Sequence, residues 1–138
     1  MGRILGIDFG ERRLGLAISD ELKITAQGLT IWRRKDTEKD LCFLRGIVEN
    51  YNVDKIVVGT PLDKDGRLKN TFVSEFISML QENLGLSVDT WDERFTTQEA
   101  ERMLLEADVS RRKRKRVIDK ISAQIILQSY LDYKNNKG

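Results

Sequence analysis

The chain contains no histidine. That excludes a Ser-His-Asp triad, a Cys-His pair and every histidine-ligated zinc site. Its single cysteine, Cys42, excludes an intrachain disulfide and a thiolate zinc cluster, and fits a reducing compartment. No apolar run approaches membrane-spanning length and the start lacks a secretory pattern, so the chain reads as cytoplasmic. There is no internal repeat and no linker, so residues 1–138 read as one domain with a real core. Net charge is only +2, which by itself says little about partners. What remains for acid-base and metal chemistry is carboxylate, lysine, tyrosine and hydroxyl. Carboxylates suit hard cations such as magnesium and manganese.

Apolar residues make up 40% of the chain, enough for a globular protein. Ile4, Leu5 and Ile7 read as a buried strand, and Leu14, Leu16 and Ile18 as a second one. Gly10 to Arg13 make the hairpin turn between them. A third strand is expected over Ile24 to Trp32. Leu41, Leu44, Ile47, Val48 and Tyr51 recur at helical spacing. Asp54 to Gly59 is a β-branched strand suited to a parallel, doubly covered position. Thr60 to Asn70 is a polar loop holding the only proline, Pro61. A second helix carries Phe72, Phe76, Met79, Leu80 and Leu84, and Gly85 stops it. Leu86 to Trp91 is a fifth strand. Thr96 and Glu99 form a capping box for a third helix through about Ala107. The last helix is expected from about Arg116 to Tyr133, with Val117, Ile121, Ile125 and Ile126 on its buried side, followed by a frayed tail over Asn135 to Gly138. The later strands alternate with helices and should run parallel to the first.

Three acidic positions carry the chemical argument. Asp8 ends the first apolar run, where a carboxylate is costly unless a cation or donors meet it. The bland alternative is that Asp8 caps the turn. Asp92-Glu93 follows the fifth strand, at the edge where parallel sheets usually bind ligands. Adjacent strand residues face opposite ways, so only one of that pair can easily point at a site. Asp119 is expected in the first turn of the last helix, where an acid can simply complement the macrodipole. Taken together, Asp8, Glu93 and Asp119 all fall at element ends that one sheet edge could gather. Crowded carboxylates repel, and metal ions are the usual remedy. Two hard cations about 4 Å apart can activate a water and stabilise a leaving oxygen in phosphodiester cleavage.

Arg111, Arg112, Lys113, Arg114, Lys115 and Arg116 are six consecutive cations immediately before Asp119. Such a run is often only a solvated face. Beside a metal site it suits a polyanionic substrate. Arg12 and Arg13 in the first turn and Arg94 after Glu93 add to the same field. Lys64, Arg67 and Lys69 make the proline loop partly basic. Nothing here reads bases, so backbone and shape recognition is expected.

These segments together resemble the YqgF/RuvX family, over nearly the whole chain. GIDFGERRLGLAISD (Gly6 to Asp20) is similar to the family's opening motif. VGTPLDKDG resembles its glycine-proline loop, with Thr60 where many members carry leucine and Asp63-Lys64 where many carry asparagine-methionine. DERFTTQEA (Asp92 to Ala100) resembles its DER motif, and IDKISAQIILQSYL (Ile118 to Leu131) its C-terminal helix. The resemblance implies an α/β, RNase H-like fold, a mixed five-stranded sheet flanked by helices. It assigns the central-strand acid to Asp8, the DER acid to Glu93, in preference to its neighbour Asp92, and the helix acid to Asp119. It implies a nuclease using magnesium or manganese, with two ions expected. The expected reaction is phosphodiester hydrolysis in structured nucleic acid, namely 5′-end processing of precursor 16S ribosomal RNA. The alternatives are resolution of Holliday junctions in branched DNA and a non-catalytic nucleic-acid adaptor. A fragment of the actin and sugar-kinase type is a further competitor, but such ATPases pair two RNase H-like domains. Either a monomer or a homodimer fits.

Overall fold

The computed structural model describes residues 2–60, 71–92 and 111–137, with the backbone alone at 71, 111–120 and 136–137. β1 (Arg3–Phe9), β2 (Arg13–Ser19) and β3 (Ala26–Arg33) form an antiparallel meander. Then come α1 (Thr37–Asn50), β4 (Val53–Thr60), α2 (Thr71–Leu84) and β5 (Ser87–Asp92), and α3 (Arg111–Lys137) closes the chain. The sheet order is β3-β2-β1-β4-β5. β4 runs parallel to β1, and β5 parallel to β4, as the alternation of strand and helix requires. The expected mixed five-stranded sheet with helices on its faces is what forms.

Strand alternation divides the core into two layers. Leu5, Ile7, Phe9, Leu14, Leu16, Ile56 and Val58 face α1 and α2, where Leu44, Ile47, Val73, Phe76 and Leu80 meet them. Ile4, Ala17 and Val57 face α3, where Ala123, Ile126, Leu127 and Tyr130 meet them. β1 and β4 are central and covered on both sides, so their apolar runs are nearly continuous. On the α3 side the sheet has little bulk. Gly6 pairs in register with Ala17, and α3 settles onto that shallow strip.

α1 is capped by Asp36, whose side chain accepts from the Lys39 amide at 2.8 Å. One acid of α1 is not a surface residue at all. Asp40 is 1% exposed and accepts from Trp32 Nε1 at 2.8 Å, from the Lys35 amide at 2.8 Å and from Arg34 Nε at 3.3 Å. Arg34 in turn donates to the Gly10 carbonyl at 3.2 Å and lies over the rings of Phe9 and Phe76. A buried ion pair thus ties α1 to the β1–β2 turn.

Several element bounds differ from the sequence expectation. β3 starts at Ala26, and Ile24 is 52% exposed in the preceding turn. Phe72, one of the apolar residues that mark α2 in the sequence, is 55% exposed, and Val73 beside it is buried. α3 begins at Arg111 instead of Arg116 and runs through Asn135 to Lys137, where a frayed tail was expected. Arginine and lysine are good helix formers, and no residue in the run breaks a helix. Asn135 is also held, its side chain donating to the Lys23 carbonyl at 3.0 Å. The proposed helix from Thr96 to about Ala107 and the loop with Pro61, Lys64, Arg67 and Lys69 lie outside the described residues.

Candidate active site at the carboxyl edge of the sheet

β1, β4 and β5 are parallel, so their carboxyl ends share one edge. Asp8 lies near that end of β1. Its cross-strand neighbours are Gly15 on β2 and Gly59 on β4. Neither has a side chain, so the Asp8 carboxylate has lateral room on both sides. Asp8 is half-buried and borders a cavity of about 410 Å³ that is also lined by Phe9, Gly10, Glu11, Arg12, Arg13 and Gly15. Arg12 and Arg13 therefore line the same cavity as Asp8. Gly10 is required there, because a Cβ on it would lie 2.6 Å from the Arg13 carbonyl oxygen.

Alternation decides where Asp92 falls. Gly59 pairs with Trp91, so Asp8, Gly59 and Trp91 form one row on the α3 side. Thr60 pairs with Asp92, and both belong to the opposite side with Val58. Asp92 thus leaves the face that carries Asp8. Glu93 and Arg94 lie outside the described residues.

Asp119 is not in the first turn of α3, since the helix starts at Arg111. The macrodipole acts only within the first turn, so that bland account of Asp119 no longer holds. The direction of α3 bears on its position. Gln128 donates to the Ile24 carbonyl at 2.9 Å and Asn135 to the Lys23 carbonyl, both at the amino edge of β1. Leu127 packs at Gly6. Going back from Leu127 toward its start, α3 therefore heads for the carboxyl edge, and Asp119 is roughly 12 Å back along the axis at 1.5 Å per residue. The run Arg111 to Arg114 is helical backbone at the start of α3. Among the described residues no three acidic, cysteine or histidine side chains gather closely enough to hold a metal. Cys42 is exposed on α1.

A second ionisable group lies farther down the α3 side. Tyr130 donates a short hydrogen bond to Asp89, and Lys55 Nζ is 3.2 Å from the same carboxylate. The Tyr130 hydroxyl, and then Lys55, hold Asp89 below the usual carboxylate range. Burial, and then the Asp89 charge, push Tyr130 up. The Tyr130 oxygen, and then Asp89, raise Lys55. Trp91 meets the Tyr130 ring edge-on at 6.1 Å between centroids. This group joins β4, β5 and α3. The sequence pattern did not reveal it, because its members are scattered over more than 70 residues. Asp40 and Arg34 were equally hidden, as charged residues within a charged stretch.

Proteins similar in sequence to this chain are numerous. At 52% identity over 135 residues, covering 96% of both chains, the chain is similar to a Halothermothrix orenii protein named "Putative pre-16S rRNA nuclease". A Syntrophomonas wolfei protein of the same name is 50% identical over 94% of both chains. Among solved structures, RuvC of T. thermophilus bound to a Holliday junction superposes with a TM-score of 0.60 at 13% identity, covering 100% of this chain and 98% of that one. The fowlpox virus resolvase bound to junction DNA superposes at 0.62 and 14% identity, over 96% of this chain and 98% of that one. At such low identity these two establish the fold, which is RNase H-like. The profile described as "RuvX: Holliday junction resolvase" matches residues 2–133, and the chain therefore belongs to the RuvX family.

Proposed function

We propose that this protein is a metal-dependent nuclease that hydrolyses phosphodiester bonds in structured nucleic acid, with the 5′ end of precursor 16S ribosomal RNA as its substrate. The observation that carries this reading is Asp8 between two glycines, Gly15 and Gly59, beside a cavity that also holds Arg12 and Arg13. The relatives' names point to the ribosomal precursor.

The residues present fit divalent hard cations. The donors are oxygen only, and the glycine neighbours leave space beside the carboxylate for an ion and a phosphate oxygen. Asp8, Glu93 and Asp119 would hold two magnesium or manganese ions. The turn of Asp92 away from Asp8 supports Glu93 as the acting member of its pair. When bound, the ions supply an activated water and stabilise the leaving oxygen. The chain's own contribution is to hold the acids on a rigid sheet edge and to place phosphate against Arg12 and Arg13. Arg94, Arg111, Arg112, Lys113 and Arg114 extend this basic field along the nucleic acid. The domain acts in the cytoplasm, and either a monomer or a homodimer suits a single cut in RNA.

Cleavage of a precursor 16S ribosomal RNA fragment and of four-way junction DNA, measured side by side with manganese, tests the reading. The RNA is expected to be cut, and Asp8→Asn is expected to abolish cutting while the thermal melt stays that of the parent. Full activity in Asp8→Asn overturns the metal-site assignment. Symmetric cutting of the junction alone would favour a dimeric resolvase, since two active sites are then needed. Binding without any cleavage would make the chain an adaptor.

A further inference from the structure

On the side of the sheet away from Asp8, a cavity of about 530 Å³ opens between the β1–β2 turn, the end of β3 and α2. Four cations line it, Arg12, Arg33, Arg34 and Lys35, against two carboxylates, Glu11 and Glu75. Arg34 is already committed to Asp40, which is buried. Arg12 and Arg33 are exposed and form no ion pair with the described residues. Lys35 Nζ lies over the Trp32 ring. The apolar side of the cavity is Phe72, Phe76 and Met79, and Phe72 is 55% exposed at the first turn of α2. A half-exposed phenyl ring beside these arginines is a costly surface for water and a good one for a nucleotide, because a base stacks on the ring while its phosphate meets the cations.

The cavity also adjoins the candidate active site. Glu11 and Arg12 line both. A strand crossing the β1–β2 turn from Asp8 would arrive at Arg33 and Phe72. Arg34 holds that turn through the Gly10 carbonyl, so the two cavities keep a set relation to each other.

We infer that this cavity is a binding site for an unpaired nucleotide of the substrate strand, next to the bond that is cut. The inference rests on the nuclease reading and deepens it, by specifying that the substrate is single-stranded beside the cleavage point. A duplex keeps its bases stacked inside and cannot offer one to Phe72. Arg33 and Arg12 take the phosphates, and Phe72 takes the base face without regard to its identity.

The test is equilibrium binding without divalent metal, so that it stands whether or not the carboxylates cleave. The probes are a fluorescein-labelled twelve-nucleotide single-stranded RNA of mixed sequence and a blunt RNA duplex of the same length. Phe72→Ala is expected to weaken single-strand binding roughly tenfold, within the range for removing the platform of one stacked base, and to leave duplex binding unchanged. Phe72→Tyr should restore it. Arg33→Ser combined with Arg12→Ser should lower the slope of log affinity against log salt by roughly 0.7 for each phosphate of the single strand that is no longer neutralised. Both sites are exposed, and thermal melts like the parent's would show that the variants fold. Equal weakening on single strand and duplex, or unchanged binding in Phe72→Ala, overturns the inference.

Discussion

Gly6 on β1 and Leu127 on α3 meet so closely that a Cβ added at Gly6 would lie 2.8 Å from the Leu127 Cβ. This close approach sets how near α3 lies to the sheet, and α3 is the element that carries Asp119. Gly6→Ala is expected to destabilise the fold by about 1–3 kcal/mol, the usual range for overpacking. Leu127→Ala should not relieve it, because the clash is with the Cβ that alanine keeps. Denaturant unfolding of both single variants and the double variant checks this. A double variant less destabilised than Gly6→Ala alone would show that the γ and δ carbons of Leu127 are responsible instead.

Asp40→Ala is expected to cost about 3–5 kcal/mol, as for one partner removed from a buried pair. Trp32 Nε1, the Lys35 amide and Arg34 would all lose their acceptor. The melt should fall accordingly. A cost near that of a surface ion pair, below about 1 kcal/mol, would mean that water replaces the carboxylate.

Tyr130→Phe tests the pH dependence. Asp89 has a folded pKa below its unfolded value of about 3.9, so its contribution is present above that pH and lost as pH falls through the folded value. Tyr130 and Lys55 have folded values raised above about 10, so theirs is present below that pH and lost as pH rises through the folded values. The variant should lose about 1 kcal/mol at pH 7, since Asp89 is partly solvated. The gap between variant and parent should narrow below about pH 4, as Asp89 is protonated. A gap that stays constant across the acid range would show that the hydroxyl is not coupled to the Asp89 charge.

Millimolar manganese is expected to raise the melting temperature, because in the proposed metal site an ion would relieve repulsion among Asp8, Glu93 and Asp119. At tenfold excess over its Kd the gain is about 1.4 kcal/mol. Glu93→Gln should reduce the shift, and Asp92→Asn should affect it less. The opposite order would transfer the role to Asp92. Calorimetry with and without metal reads both.

Replacing Arg111, Arg112, Lys113 and Arg114 by Ser should weaken nucleic-acid binding about equally across sequences. The salt slope should fall by roughly 0.7 to 0.9 for each phosphate that the variant no longer neutralises. Turnover of bound substrate should change less, as the carboxylates remain. An unchanged slope would leave the run a solvated helix surface.

The order of the five strands and the parallel character of β4 and β5 were legible in the residue pattern, because alternation is local and survives in one dimension, whereas on α3 the buried face is Ala123, Ile126, Leu127 and Tyr130, and Ile121 and Ile125, expected there, are only half-buried. The acid at the end of β1 was legible too, since a carboxylate closing an apolar run is unusual wherever the chain goes next. Helix start was less legible. Arg111 to Arg116 is all charge, and nothing in the pattern distinguishes a charged loop from the exposed start of a long helix. The side on which Asp92 lies is a matter of register, which the pairing of Thr60 with Asp92 settles and composition does not. Asp40, Arg34, Asp89 and Lys55 became a second kind of charged residue, buried or half-buried and paired, with the neutral Tyr130 hydroxyl as a further partner of Asp89, only when distant segments came together. A charge is stable at depth only with a partner, and the partner's identity is a property of three-dimensional proximity, not of spacing along the chain.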